Sequence, residues 1–503
     1  MENIYHTLIN IPNLLNVWQF LSLFLGLSVG IIIGALPGVG PLLGVVMAIP
    51  FTFYMDSVSS MALLMGIYQG GFYGGALSAV VIGIPGTPMA AATMLDARPM
   101  ALQGQASLSV TLSTIASSVG GIISGLVLIA VAPALAAIAV KFGPAETATF
   151  ALLGLTSMGA LCGTSPIKGW MMGFLGLLIA TIGLDPVSGV SRFTFDSVYL
   201  DSGITLIPLL VGLFSVSEVL LQIEKPLRAN DNARTISACT AVFKSLLERP
   251  FNYIRSSLIG VFVGILPGIG GVTASFLSYR IAMFFKKKAD PDFRNGNPDG
   301  VIASEAANSA VTGGALIPML VLAIPGDPIV AVLMGGLMLQ GVQPGAMMFT
   351  NHPDVVQGIF AVFIIGAILI LPLGFLFMRG IVGILKLPTW SIMSSVLMIS
   401  IIGTYAVSRQ ITDIWMLLCF GIVGYLLRKG DYPLAPIVIG FVLGPIFEKN
   451  FRRTGLISQG DLFGYIFERP IALGVLITTL IFIFVPVLRW LLAVKTQRLL
   501  PGN

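Results

Sequence analysis

The chain has 503 residues, of which 56% are hydrophobic and only 10% charged, against about 25% charged in a soluble globular domain. Too few polar residues remain to coat one large water-soluble core, so the composition dictates a polytopic membrane protein. A net charge of +5 fits basic loops at one membrane face rather than a nucleic-acid surface, and two histidines with three scattered cysteines (Cys162, Cys239, Cys419) exclude a His-rich metal site and show no disulfide or metal-ligand spacing.

Along the chain, residues 1–10 carry no Lys or Arg. They therefore lack the basic start of a cleavable signal, and the first apolar segment is expected to be retained. Apolar runs follow at 14–36, 61–84, 107–134, 147–163, 170–184, 203–221, 254–266, 357–378, 391–407, 412–427, 433–447 and 470–492. A bilayer needs about 17–25 residues per helix, and some runs are short or interrupted, which gives about 11 spans within a range of 10–12. The expected organisation is a first transmembrane repeat over 1–215, a cytoplasmic linker over 216–253, a second repeat over 254–450, and a last helix with its flanks over 451–503.

Pro-Gly boxes interrupt the apolar stretches at matching places. LPGVG at 36–40 returns as LPGIG at 266–270, and IPGTP at 84–88 returns as IPGDP at 324–328. GGAL at 74–77 matches 313–316, Leu102-Gln103-Gly104 matches Leu339-Gln340-Gly341, Lys141 matches Lys386, and Trp170 with Gly176 matches Trp415 with Gly421. The offset grows from 230 to about 240 across KKKADPDFRNGNPDG, an insertion at 286–300, and is near 245 from Lys386 onward. A collinear series of this length marks an internal duplication.

Loop charge then orients the copies. Lys225, Arg228, Arg234, Lys244, Arg249 and Arg255 place the linker in the cytoplasm, together with the KKK loop and Arg428-Lys429. The counterparts of those two loops, 52–60 and 185–202, are acidic or nearly free of bases and read as external. Corresponding loops on opposite faces make an all-α fold of two inverted-topology repeats. The N-terminus is then external, the basic end with Arg489, Lys495 and Arg498 is cytoplasmic, and EKNFRR at 448–453 is external against the charge rule.

A helix broken in lipid strands backbone N–H and C=O groups and persists only where protein or a water-filled cavity satisfies them. The N-terminal ends of the resulting half-helices suit an anion, and their C-terminal ends and freed carbonyls suit a small cation. Candidate substrate-binding positions are therefore Gly38, Gly40, Gln69, Ser78, Gly86, Thr87, Gly268, Gly270, Asn308, Ser309, Thr312 and Gly326. Candidate cation-binding positions are Pro85, Pro325, Asp327 and Asn308. Tyr68 and Glu305 lie near the boxes and join the polar set. Asp327 occupies the slot of Thr87, so the halves are chemically asymmetric; it serves either the site or the cap of the following half-helix. Lys141, Glu146, Lys168, Glu218 and Asp413 flank apolar runs and are expected to be interfacial or paired. No P-loop, G-x-S-x-G or H-E-x-x-H motif is present, which excludes self-driven ATP use and argues against hydrolysis.

GALPGVGP at 34–41, YQGGFYGGALSAVVIGIPGTP at 68–88 and GVIASEAANSAVTGGALIPMLVLAIPGDP at 300–328 resemble the large membrane subunit of the tripartite tricarboxylate transporter family over about residues 14–450. A segment that reads ANNA in many relatives is here Ala307-Asn308-Ser309-Ala310. The resemblance implies a multi-pass secondary carrier of the bacterial inner membrane, with a small four-helix membrane subunit and a periplasmic solute-binding protein as partners. It implies uptake of carboxylates such as citrate, coupled to Na⁺ or H⁺, with no other cofactor and no enzymatic activity. A stand-alone cation-coupled carboxylate carrier is the alternative.

Overall fold

The computed structural model describes residues 16–36, 39–158, 166–185, 188–224, 248–267, 270–286, 290–384 and 389–481. Gly38, Gly268, Cys162, Cys239, Lys386, most of the linker and the basic end beyond 481 lie outside the described residues.

The first half comprises α1 (Val17–Ala35), α2 (Gly40–Thr52), α3 (Ser57–Val81), α4 (Ala90–Met100), α5 (Ala106–Ala139), α6 (Pro144–Ser157) and α7 (Pro166–Ala180). A two-residue hairpin follows, β1 (Gly183–Leu184) with β2 (Ser191–Arg192), then the short α8 (Val198–Asp201) and α9 (Leu206–Glu224). The second half repeats the order with α10 (Pro250–Ile265), α11 (Gly270–Met283), α12 (Pro298–Leu322) and α13 (Pro328–Leu339). After the short α14 (Met348–Asn351) come α15 (Pro353–Ile384), α16 (Thr389–Ser408), α17 (Ile411–Lys429) and α18 (Ala435–Ile457). The short α19 (Leu462–Phe467) and α20 (Pro470–Ile481) close the described chain.

Six helical stretches are long and apolar enough to cross a membrane: α1, the continuous 90–139 stretch, α9, α12, most of α15, and α17. Five shorter apolar helices accompany them, among the described residues. The protein is an all-α polytopic membrane protein, as the composition requires. Local sequence explains where the helices start and bend. Asp56 caps α3 by accepting from the Val58 and Ser59 N–H groups. Burial pushes its carboxyl upward, but hydrogen bonds led by Ser59 outweigh that and hold it below the ordinary range. The joint between α4 and α5 is a single wide turn in which Gly104 takes φ +84°; Gly341, its counterpart, takes φ +75° after α13.

The centre is formed by α3 and α12, buried almost throughout. Small residues make this possible. Gly26, Gly30 and Gly34 of α1 lie on the α3 backbone, and a Cβ on Gly30 would sit 2.8 Å from the Ile67 Cα. In the second half Gly260 and Gly264 of α10 lie on α12 in the same way. With lipid as solvent, such close backbone contact is a principal source of helix association. Each centre is also covered by the other half: α5 packs along α12, and α15 packs along α3. The last long helices cross over as well. The α18 helix packs on α6 and α7, whereas α9 packs on α16 and α17. Stripes of exposed apolar side chains, such as Met171, Phe174 and Leu178 on α7 and Trp415, Ile422 and Leu426 on α17, face outward as lipid contact requires.

Charged residues at the helix ends are paired, as expected of Glu146, Lys168 and Glu218. Arg428 meets Glu218, and Lys429 meets Glu224. Arg469 meets Glu146, and Lys168 donates to the Gly430 carbonyl at 2.7 Å. Arg249, just before α10, forms a two-bond fork with Asp290 at 2.7 Å and also meets Asp299. Hydrogen bonding to Asp290 leads the interactions that raise the Arg249 guanidinium above its ordinary value.

Candidate functional site

Each half folds its second Pro-Gly box back onto the end of its first helix. After α3, Gly83 turns the chain at φ +73°, and the Gly86 N–H donates to the Gly75 carbonyl at 3.2 Å. Gly86 then lies against the Gly34 carbonyl near the end of α1, where any Cβ would collide. After α12, Ala323 turns the chain at φ +56° and Ile324 N–H reaches back to the Pro318 carbonyl. A Cβ on Gly326 would meet the Gly264 carbonyl oxygen at 2.9 Å and Ala315 Cα at 2.7 Å. Gly34 and Gly264, like Gly86 and Gly326, are counterparts in the duplication. The first boxes also share a conformation at their described edge: Gly40 and Gly270 take φ +70° and +75° as they open α2 and α11. The ends of α1 and α3, and likewise of α10 and α12, therefore come together at the second boxes, where protein can satisfy them as a break in a membrane helix requires.

The side chains around the two second boxes differ. In the first half, Ser78 donates to the Gly75 carbonyl at 3.1 Å, and the Thr87 hydroxyl is buried with no hydrogen-bond partner among the described residues. Gln69 donates to the Phe363 carbonyl at 3.1 Å, and its own side-chain oxygen has no partner among the described residues. In the second half, Asp327 caps α13: one carboxylate oxygen accepts from the Ile329 and Val330 N–H groups, both at 2.8 Å. The other oxygen accepts from the Tyr68 hydroxyl of α3. Asp327 is thus a cap and a bridge between the halves.

A third cluster lies on α12. Glu305 is fully buried. Its oxygens accept from Ser117 Oγ at 2.7 Å, Thr93 Oγ1 at 2.9 Å and Asn308 Nδ2 at 3.2 Å. Every one of these donors is neutral, and no Lys or Arg pairs with Glu305 among the described residues. Beside it, Asn308 Oδ1 and Ser309 Oγ are buried without hydrogen-bond partners among the described residues, whereas Thr312 is satisfied by the Ser309 carbonyl at 2.7 Å. A buried polar atom left unpaired costs about 1–3 kcal/mol, and a buried charge without a partner costs several. A set of orphaned oxygens beside a carboxylate suits a small cation or a proton.

The geometry therefore joins Gly86, Thr87 and Ser78 at one box and Gly326 with Asp327 at the other, and groups Asn308 with Glu305. It does not join Gln69 to Asn308, its aligned counterpart: Gln69 faces α15. Pro85 and Pro325 sit in the boxes beside Gly86 and Gly326. Gly38 and Gly268 lie outside the described residues. Sequence reasoning missed Thr93 and Ser117. The available signal was the run of hydroxyls at Ser107, Ser109, Thr111, Ser113, Thr114, Ser117 and Ser118, unusual in an apolar helix and pointing to a polar face turned inward.

Comparison with known proteins supplies the family. The tripartite tricarboxylate transporter TctA family matches residues 20–439. An uncharacterized 52.8 kDa protein in the TAR-I ttuC' 3' region of Agrobacterium vitis is 33% identical over 433 residues, 85% of each chain. An uncharacterized protein in the TAR-II ttuC' 3' region of the same organism is 35% identical over 217 residues, covering 43% of this chain and 89% of its own. No solved structure matches the chain. The chain therefore belongs to the tripartite tricarboxylate transporter TctA family, as a multi-pass transporter subunit rather than an enzyme.

Proposed function

We propose that the chain is the substrate-translocating large subunit of a binding-protein-dependent, cation-coupled carrier for tricarboxylates or related carboxylates in the bacterial inner membrane. One observation carries this reading: the second box of each half returns to the end of the first helix, at Gly86 on Gly34 and at Gly326 on Gly264. Helix ends otherwise stranded in lipid thus converge inside the protein, where their dipoles and free backbone groups can hold ions. The N-terminal ends of α2, α4 and α11 hold the substrate carboxylates, with Gly40, Gly86, Thr87 and Gly270 lining them; at α13 the Asp327 carboxylate already takes the first N–H groups, and Gly326 serves the close approach to α10. The coupling cation, Na⁺ or H⁺, sits where Glu305 meets Asn308 and Ser309.

The contacts of α7 and α17 support an inverted repeat. Lys168, near the start of α7, reaches Gly430, just past the end of α17, so these counterpart helices run antiparallel. Their partners follow suit. Glu218 and Glu224 of α9 meet the end of α17, whereas Asp185 after α7 meets Arg452 late in α18. Movement of one packed body against another then exposes the site alternately to each side. A periplasmic solute-binding protein delivers substrate and a small membrane subunit completes the complex.

The test is citrate uptake into proteoliposomes holding both membrane subunits, with binding protein outside and a sodium or proton gradient imposed. Accumulation that follows one of the gradients supports the reading; uptake indifferent to both removes the coupling. Equal uptake without the binding protein identifies a stand-alone carrier instead.

A further inference from the structure

A cavity of about 540 Å³ opens beside the second box of the second half, walled by the end of α12 at Val321–Ala323, the turn at Gln343–Met347 and the late part of α18. Its size lies within the ~300–1,000 Å³ typical of small-molecule sites. Ala323 is the left-handed residue that starts the return toward Gly326, so the cavity and the box share a wall.

The opposite wall carries Lys449, Asn450 and Arg453. Lys449 and Arg453 are one helical turn apart, exposed, and without an ion-pair partner among the described residues. Their neighbours explain why. The nearby carboxylates Asp185 and Glu448 are both engaged by Arg192 and Arg452: Arg192 meets Glu448 at 2.8 Å, and Arg452 meets Asp185 at 3.0 Å and Glu448 at 2.6 Å. Two cations are left to face the cavity. The positive-inside rule places such unneutralised bases in the cytoplasm, yet loop charge puts 448–453 outside. A function toward an external anion accounts for that exception.

We propose that this cavity is an entry station for a small polycarboxylate, held by Lys449 and Arg453 before it passes to the box beyond Ala323. The inference rests on the carrier reading above and names where its substrate is first captured. Two point cations steer an approaching dianion or trianion, and the Arg453 guanidinium can grip one carboxylate through two parallel bonds.

Substrate protection tests this. Asn450→Cys is placed in a background with Cys162, Cys239 and Cys419 changed to Ser. The transporter is reconstituted with its membrane partner, and a membrane-impermeant maleimide is added from the side bearing residue 450. Citrate, without binding protein, is expected to slow labelling at least threefold, while sodium chloride of equal ionic strength does not. Adding Lys449→Gln and Arg453→Gln is expected to abolish protection. In the native-cysteine protein the same pair should raise the KM for citrate about tenfold and leave kcat within twofold. Labelling unaffected by citrate in a protein that transports citrate overturns the entry station and leaves the carrier reading standing. Equal slowing by chloride also overturns it. Failure of the unsubstituted complex to transport citrate or succinate counts against the carrier reading itself, and the station falls with it.

Discussion

Replacing Glu305 by Gln separates a carboxylate kept for transport from one kept for folding. An ionised Glu305 gains three hydrogen bonds from Ser117, Thr93 and Asn308, worth roughly 1.5–3 kcal/mol each to a charged acceptor, or about 4.5–9 in all. Against this stands the loss of its hydration, several kcal/mol for a buried ion, with no cation to offset it. The two terms nearly cancel. Gln keeps the volume and one acceptor oxygen, and the Ser117 and Thr93 hydroxyls can turn to accept from its amide. Three neutral bonds at about 0.5–1.5 kcal/mol each then remain, without the cost of a buried charge. E305Q is therefore expected to change stability by no more than about 2 kcal/mol, in the stabilising direction. Thermal unfolding in detergent reads this, as a transition unchanged or raised. In proteoliposomes the same variant should lose gradient-driven accumulation while keeping exchange of internal for external citrate, because exchange needs no net cation movement. A transition lowered by many degrees, with accumulation falling only in proportion to folded protein, would refute the reasoning and make Glu305 a structural residue.

Other substitutions probe the remaining features. Gly86→Ala and Gly326→Ala should each cost about 1–3 kcal/mol from overpacking, seen as matched losses of thermal stability; a neutral result at either box contradicts the close approach described there. Asp327→Asn retains a capping oxygen and should fold normally, whereas Asp327→Ala loses the cap (~1 kcal/mol) and orphans the Tyr68 hydroxyl (~1–3 kcal/mol), a total of about 2–4 kcal/mol in the same melt. Arg249→Gln breaks the pairs with Asp290 and Asp299, both mostly buried, and about 3 kcal/mol of stability should go with them. Asp56 has a pH signature. Its folded carboxyl lies below the ordinary range, so its contribution is full at neutral pH and fades as pH falls through its lowered value. In acid titrations Asp56→Asn should flatten that part of the stability curve.

The membrane fold was legible because few charges over so long a chain leave no other solution, and the duplication because Pro and Gly punctuate the apolar runs in the same order twice. Span length was less legible. The 61–84 run forms most of α3, whose glycines, hydroxyls and amide lower its hydropathy because it faces protein rather than lipid. Short runs such as 254–266 end at their boxes: α10 stops at Ile265 because LPG follows. Pairing across the duplication misled in one respect. Alignment sets Gln69 opposite Asn308, but alignment says nothing of which neighbour each side chain meets. Gln69 turns to the Phe363 carbonyl and Asn308 to Glu305. Thr93 and Ser117 lie on the consecutive helices α4 and α5, 212 and 188 residues from Glu305 in sequence, so only packing could bring them to its carboxylate.

The crossing of the last long helices has a mechanical consequence. Helices α6 and α7 are held with α18, and α16 and α17 with α9, so each flanking trio mixes the two sequence halves. The central helices are interleaved too, α5 on α12 and α15 on α3. The duplicated halves are therefore not the units that can slide or tilt as solid pieces. The pieces are the interleaved centre, which carries the described residues of every box, and the two trios beside it, which present broad apolar faces to lipid. Displacement of the centre against such a frame would carry the broken helices and their cargo together, with the shear falling where the centre and trios touch, at α13 on α18 and at α2 on α9 and α16.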